Sequence, residues 1–200
     1  MQVAPVIPVL VIDKPEDAVP LATALVAGGL RVLEITLRSD AALSAIESMA
    51  KALPDAIVGA GTVNHPEQMQ QVKDAGARFV VSPGFTRSLG DAATQCSMPY
   101  LPGVMTPAEI LDANQSGLDA LKFFPASQAG GPGFIKALGG PFQNIVFCPT
   151  GGINVDSASS YLELANVLCV GGSWVAPSEA VKEGNWDEVT ALATAACGLR

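Results

Sequence analysis

The run ALKFFPA, residues 120–126, places one lysine inside an apolar segment. Its shortness, aromatic content and closing proline predict a buried strand. An isolated ammonium is costly to hold in a dry interior, so Lys122 needs either a partner or a use. The other five lysines pose no such problem: Lys14, Lys51, Lys73 and Lys182 fall in predicted helices or turns, and Lys136 follows the loop QAGGPG. A free lysine titrates near about 10.4, leaving about one side chain in 2,500 neutral at pH 7. Desolvation disfavours the charged form, and a neutral amine in a shaped pocket is what attack on a carbonyl requires. The resulting imine serves as an electron sink.

A carboxylate occurs in a similar setting, in VLEITLR (32–38). Strand alternation sets Val32, Glu34, Thr36 and Arg38 on one face and Leu33, Ile35 and Leu37 on the other. The aliphatic face suits packing under helices, which turns Glu34, Thr36 and Arg38 inward. The same parity sets Lys122 and Phe124 opposite Leu121 and Phe123. Glu34 and Lys122 then form either a buried structural ion pair or a proton-transferring catalytic pair, and the residues alone leave both open. Two glycine-rich segments, PTGGI (149–153) and VGGSW (170–174), follow later apolar runs. Backbone N–H groups at such loops, with Ser173, can cradle a phosphate, although either GG pair alone is also a turn signal.

Other chemistries lack their residues. The single histidine, His65, precedes Pro66 at what reads as an exposed helix entry, and one histidine makes no multi-histidine metal site. There is no G-x-G-x-x-G after the first strand and no P-loop, and Ser82 and Ser173 have no histidine partner for a triad. Trp174 and Trp186 read as packing residues. No metal and no cofactor are expected.

The elements that must position these residues recur regularly. Apolar strand-like runs lie at 6–12, 32–37, 56–63, 78–84, 100–105, 120–125, 144–152 and 167–174, separated by Ala-rich segments with helical spacing. Pro15, Pro66 and Pro107 mark first helical turns, and Ser39 or Asp40 is placed to cap the second helix. A weak repeat, AGGLRVLE, DAGARFVVS and QSGLDALKF, ends a helix on glycine and then enters a strand. INVDSASSYLEL reads as a short last crossover helix and 178–200 as a helical tail. Eight strands alternating with helices predict a closed parallel (β/α)8 TIM barrel, in one compact domain over 1–200, with the site at the C-terminal strand ends. A doubly wound open sheet is the competing arrangement.

Composition narrows the class further. Of 200 residues, 49% are hydrophobic and 15% charged, so the chain can fill a large core. A net charge of −8 argues against nucleic acid or an anionic membrane surface as partner. No apolar run approaches the roughly 18–20 residues that span a bilayer. MQVAPVIPVLVIDK lacks the basic region of a signal peptide. Cys96, Cys148, Cys169 and Cys197 lack metal or redox spacing and read as reduced thiols, two of them in the core. A cytoplasmic location is expected.

LEITLR, VGAGTV, SPG, LPGVMTP, LKFFPA, FCPTGGI and LCVGGSW occur in that order. On these motifs the chain resembles, from about residue 6 to 190, the 2-dehydro-3-deoxy-6-phosphogluconate (KDPG) aldolase family, class I enzymes that often also cleave 4-hydroxy-2-oxoglutarate (KHG). The resemblance implies a (β/α)8 barrel, a homotrimer and no metal or organic cofactor. It implies a 2-keto-3-deoxy sugar acid phosphate as substrate and pyruvate as product. By motif, Lys122 would be the Schiff-base nucleophile and Glu34 the general acid/base. Arg38 would hold the pyruvyl carboxylate with Thr62, and Pro83 and Phe124 would line the pyruvate pocket. Thr150, Gly151, Gly152, Gly172 and Ser173 would surround the distal hydroxyls and phosphate. Two departures stand out: the sequence enters strand one almost at once, from which a short or absent floor helix is expected, and Ser127 stands where many relatives carry an acidic residue. The competing functions are an aldolase for the galactonate-derived epimer, a phosphate-binding isomerase or epimerase using Glu34 as base, and a non-catalytic sugar-phosphate binder.

Overall fold

The computed structural model describes residues 3–199, and the bounds 1–200 expected above therefore extend past them at residues 1, 2 and 200. Strand β1 (Val6–Leu10) leads through a 3-10 turn at Pro15–Asp17 into α1 (Ala18–Ala27), followed by β2 (Val32–Thr36), α2 (Ala42–Ala52), β3 (Ile57–Gly61) and α3 (Glu67–Asp74). Then come β4 (Val80–Val81), α4 (Arg87–Gln95), β5 (Tyr100–Leu101), β6 (Gly103–Val104), α5 (Pro107–Gln115) and β7 (Ala120–Phe123). The chain ends with α6 (Gly131–Leu138), β8 (Val146–Pro149), α7 (Val155–Leu162), β9 (Val170–Gly172), α8 (Ser178–Glu183) and α9 (Trp186–Cys197). Each apolar run named above contains at least one strand.

Every strand pair is parallel, but the ladders do not form one closed barrel of eight strands. One curled sheet runs β5-β4-β3-β2-β1-β9, and a second runs β6-β7-β8. The expected closed (β/α)8 barrel is corrected accordingly, for two physical reasons. Pro102 has no N–H to give a ladder and splits the run 100–105, so that Tyr100–Leu101 pair with β4 and Gly103–Val104 pair with β7. On the other side, β8 meets the segment around β9 through isolated bridges, Phe147 to Val167 and Thr150 to Gly171, rather than through a ladder between the two strands.

Alternation sorts the core as expected. Leu33, Ile35, Leu121, Phe123 and Phe147 join the main apolar layer with helix residues such as Leu21, Leu25, Ile46 and Met49. The Phe123 and Phe147 rings meet edge-on at 6.2 Å between centroids. Burying such a side chain contributes about 1.5–3 kcal/mol. A smaller cluster of Ile7, Val32, Val81, Leu101, Cys148 and Cys169 occupies the other face of the strands, the face that also carries Glu34 and Lys122. All four cysteines are free thiols.

Local signals explain several helix ends. The three glycines of the weak repeat, Gly29, Gly76 and Gly117, take φ of 97°, 94° and 84°, which only glycine adopts cheaply. In each case the next residue's N–H reaches back to close the helix: Leu30 to Leu25, Ala77 to Val72 and Leu118 to Ala113. Thr106 and Glu109 form a capping box at the start of α5, with Pro107 as its first residue. Pro66 is instead the cap of α3, and Pro15 opens the 3-10 turn. Neither Ser39 nor Asp40 caps α2; Ala41 holds that position, and Ser39 Oγ donates to the Ile12 carbonyl, tying the exits of β1 and β2 together. Among the described residues no helix is long and apolar enough to cross a membrane.

Candidate active site

Glu34 sits at the centre of β2 and Lys122 in β7, strands that belong to different sheets. Their side chains nevertheless meet, Lys122 Nζ lying 3.5 Å from Glu34 Oε1. Curling of the strands is what lets them do so. Both residues are buried, at 6% and 3% exposure. The separation suits an ion pair yet leaves Glu34 Oε1 buried without a hydrogen bond. Buried polar atoms usually find a partner, so this oxygen calls for an explanation. Burial pushes the Glu34 carboxyl above its ordinary 4.5, outweighing the Lys122 ammonium and the Arg38 guanidinium, which pull it down. The Phe124 ring closes the other side of the amine, its centroid 5.0 Å from Nζ.

The carboxylate is placed by a missing side chain. A Cβ on Gly61 would stand 2.2 Å from Glu34 Oε1 and 2.7 Å from its Cγ, so β3 must present bare backbone there. Sequence reasoning passed over Gly61, although it lies inside the quoted VGAGTV. Thr62 follows it with φ of 60°, a conformation strained for a β-branched residue, and is half-buried.

Arg38 lies just beyond β2 and is exposed. Its Nε donates to Thr36 Oγ1 at 3.1 Å, and Thr36 Oγ1 donates to the Leu10 carbonyl at 2.8 Å. Thr36, read as inward-facing but given no task, thus anchors the guanidinium to β1. A cleft of about 180 Å³ gathers Arg38, Phe124, Thr150, Gly151, Gly152, Gly172 and Ser173, with Val9, Ile153 and Gly171 completing its wall. Seven expected substrate residues therefore share one opening. Lys122, Glu34, Thr62 and Pro83 do not line it, and Phe124 is the link between the cleft and the amine. Gly171 was not anticipated: a Cβ there would fall 2.3 Å from Thr150 Oγ1. Pro83 is exposed, with its carbonyl packed on Gly103, the register partner of Lys122. Ser127 is exposed and its side chain covers Gly152.

A larger cavity of about 560 Å³ shares Val9, Arg38 and Ser173 with the cleft but reaches neither Lys122 nor Glu34. The smaller cleft is the one that Phe124 joins to Lys122. Among the described residues no cluster of three or more His, Cys, Asp or Glu side chains could hold a metal ion.

Known proteins resemble the chain over most of its length. Residues 1–192 match the family model for aldolases described as KDPG and KHG aldolase. The chain is similar to the 2-dehydro-3-deoxy-phosphogluconate aldolase of Dickeya dadantii (strain 3937), with 52% identity covering 94% of this chain and 89% of that one. It is similar to the solved KDPG aldolase of Legionella pneumophila, which holds pyruvate captured at low pH as a covalent carbinolamine intermediate. That pair has a TM-score of 0.96 and 48% identity over 98% of this chain and 96% of the other. The solved 2-keto-3-deoxy-6-phosphogluconate aldolase of Zymomonas mobilis ZM4 with 3-phosphoglycerate gives 0.95 and 47%, over 100% and 93%.

Proposed function

The chain belongs to the KDPG and KHG aldolase family, and from that premise we propose that Lys122 cleaves KDPG through a Schiff base. The observation that carries this reading is the buried contact of Lys122 Nζ with Glu34 Oε1, the oxygen left without a hydrogen bond. The carbinolamine held by the Legionella relative supports it, as does the phosphorylated three-carbon acid in the Zymomonas one.

The proposed steps combine the family's Schiff-base chemistry with the contact of Lys122 and Glu34. Lys122 passes its ammonium proton to Glu34, and the free amine attacks the C2 ketone. Glu34 gives that proton to the carbinolamine hydroxyl, which leaves as water, so that a protonated imine and an ionised Glu34 remain. Glu34, ionised, takes the proton of the C4 hydroxyl. The C3–C4 bond breaks, its electron pair moving into the imine to leave an enamine, and D-glyceraldehyde 3-phosphate departs. Glu34 returns the proton to C3, and water hydrolyses the imine to pyruvate and free Lys122. Arg38, steadied by Thr36, faces the keto-acid carboxylate with its planar fork, and Thr62 assists it. Pro83 and Phe124 wall the pyruvyl end. Thr150, Gly151, Gly152, Gly172 and Ser173 receive the distal hydroxyls and phosphate. KHG would pass through the same steps to pyruvate and glyoxylate.

Pyruvate release, followed through lactate dehydrogenase, tests the reading with KDPG, its galactonate-derived epimer and KHG side by side. Cleavage of KDPG at the highest kcat/KM is expected, and release from none of the three would refute it. Two further predictions arise here. A base must be ionised to accept a proton, and burial raises the Glu34 value above 4.5. The acid limb of kcat/KM should therefore have its midpoint above 4.5, and a limb at or below that value would exclude Glu34 as the base. Gly61→Ala should displace the Glu34 carboxylate and lower kcat by about 10²-fold with the fold retained by circular dichroism.

The same proposal takes residues 1–200 as one domain, which the main apolar cluster supports by running from Ala4 to Ala196. It also takes the enzyme as a homotrimer in the cytoplasm, supported by the family resemblance and by the four free thiols. Light scattering coupled to gel filtration measures the first of these.

A further inference from the structure

We propose that Tyr100, acting through Ser82, is a positioning residue that fixes the Pro83 wall of the keto-acid pocket. The inference rests on the aldolase reading above. Proline has no N–H with which to anchor its own segment, so the segment carrying Pro83 needs fixing from its flanks. Ser82, fully buried at the exit of β4, supplies it: its Oγ donates to the Gly84 carbonyl at 2.7 Å, closing residues 82–84 around Pro83. A hydroxyl has one hydrogen to give. The 2.6 Å contact between Ser82 Oγ and Tyr100 Oη must therefore run with the phenol as donor. Burial pushes the Tyr100 hydroxyl up to about 12, so it keeps that proton throughout the working range.

Strand alternation divides the tasks. Val80 and Tyr100 are register partners, as are Val81 and Leu101, and Val81 and Leu101 belong to the apolar cluster on the Lys122 face. Continuing that alternation puts Ser82 beside Tyr100 on the helix face and Pro83 on the Lys122 face. The clamp has a floor as well. A Cβ on Gly103 would fall 2.2 Å from the Pro83 oxygen and 2.8 Å from the Ser82 oxygen, so the loop rests on bare backbone. Gly103 is the register partner of Lys122. The phenol thus acts one strand away from the nucleophile without touching it.

The test compares Tyr100→Phe, Ser82→Ala and the double variant with wild type. The readouts are steady-state KDPG cleavage and the pyruvate concentration giving half-maximal borohydride trapping on Lys122. Removing one buried hydrogen bond should raise KM and the half-saturating pyruvate concentration about 3- to 10-fold. In the same variants kcat should stay within about twofold. The double variant should be no worse than Ser82→Ala alone, because both act along one chain. Unchanged KM in Tyr100→Phe, a fall in kcat at constant KM, or additive losses in the double variant would overturn the inference. A wild-type enzyme that forms no pyruvate-dependent adduct would instead overturn the aldolase reading.

Discussion

Lys122→Ala is expected to lower aldol cleavage to the assay background, a loss of at least about 10⁴-fold, because the covalent pathway loses its nucleophile. Alanine keeps the backbone of β7, so the fold should persist, but Glu34 loses the cation 3.5 Å away. An unpaired buried charge costs about 3–5 kcal/mol, and the carboxyl answers by holding its proton to higher pH. Its value in the folded wild type is already raised above 4.5 by burial, and removing the Lys122 contributions raises it further. A group with a raised folded value binds more protons folded than unfolded, so its stabilisation is complete below 4.5 and is lost as pH rises. The melting temperature of Lys122→Ala relative to wild type should therefore fall over the interval in which pH is raised above 4.5. A difference that stays flat over that interval would mean that the two side chains are not coupled as described.

Glu34→Gln separates proton transfer from bond formation. The amide matches the carboxylate in volume and keeps clear of Gly61, but it neither accepts a proton nor returns one. We expect kcat to fall by about 10²–10⁴-fold, the usual contribution of a positioned acid/base. Lys122 remains in this variant, so a pyruvate adduct should still accumulate under borohydride, only more slowly. Full activity in Glu34→Gln would reduce the carboxylate to a structural partner of Lys122. Together the two variants decide between the catalytic and the structural reading of the pair.

Both members of that pair were legible because strand alternation is a local property. Once VLEITLR and ALKFFPA are read as strands, the parity of Leu33 and Ile35 fixes that of Glu34, and the parity of Leu121 and Phe123 fixes that of Lys122. Helix ends on Gly29, Gly76 and Gly117 were legible for a similar reason, since left-handed backbone is a property of single residues. What stayed hidden depends on approach between distant segments. Gly61 matters because Glu34 crosses from the neighbouring strand, and Gly171 because Thr150 does. Thr36 matters because Arg38 and Leu10 both reach it. Closure of the sheet was misjudged at Pro102, where a run that reads as one strand becomes two short pieces in different sheets. Ser39 looked like a cap because its type suits one, yet its hydroxyl found the Ile12 carbonyl first.

The identity of the nucleophile is the claim on which the rest depends. Incubating the enzyme with pyruvate and borohydride, then mapping peptides by mass spectrometry, reads it directly. The expected result is one reduced three-carbon keto-acid adduct per chain, on Lys122, and none without pyruvate. An adduct on another lysine, or turnover of KDPG with no adduct at all, would contradict the mechanism.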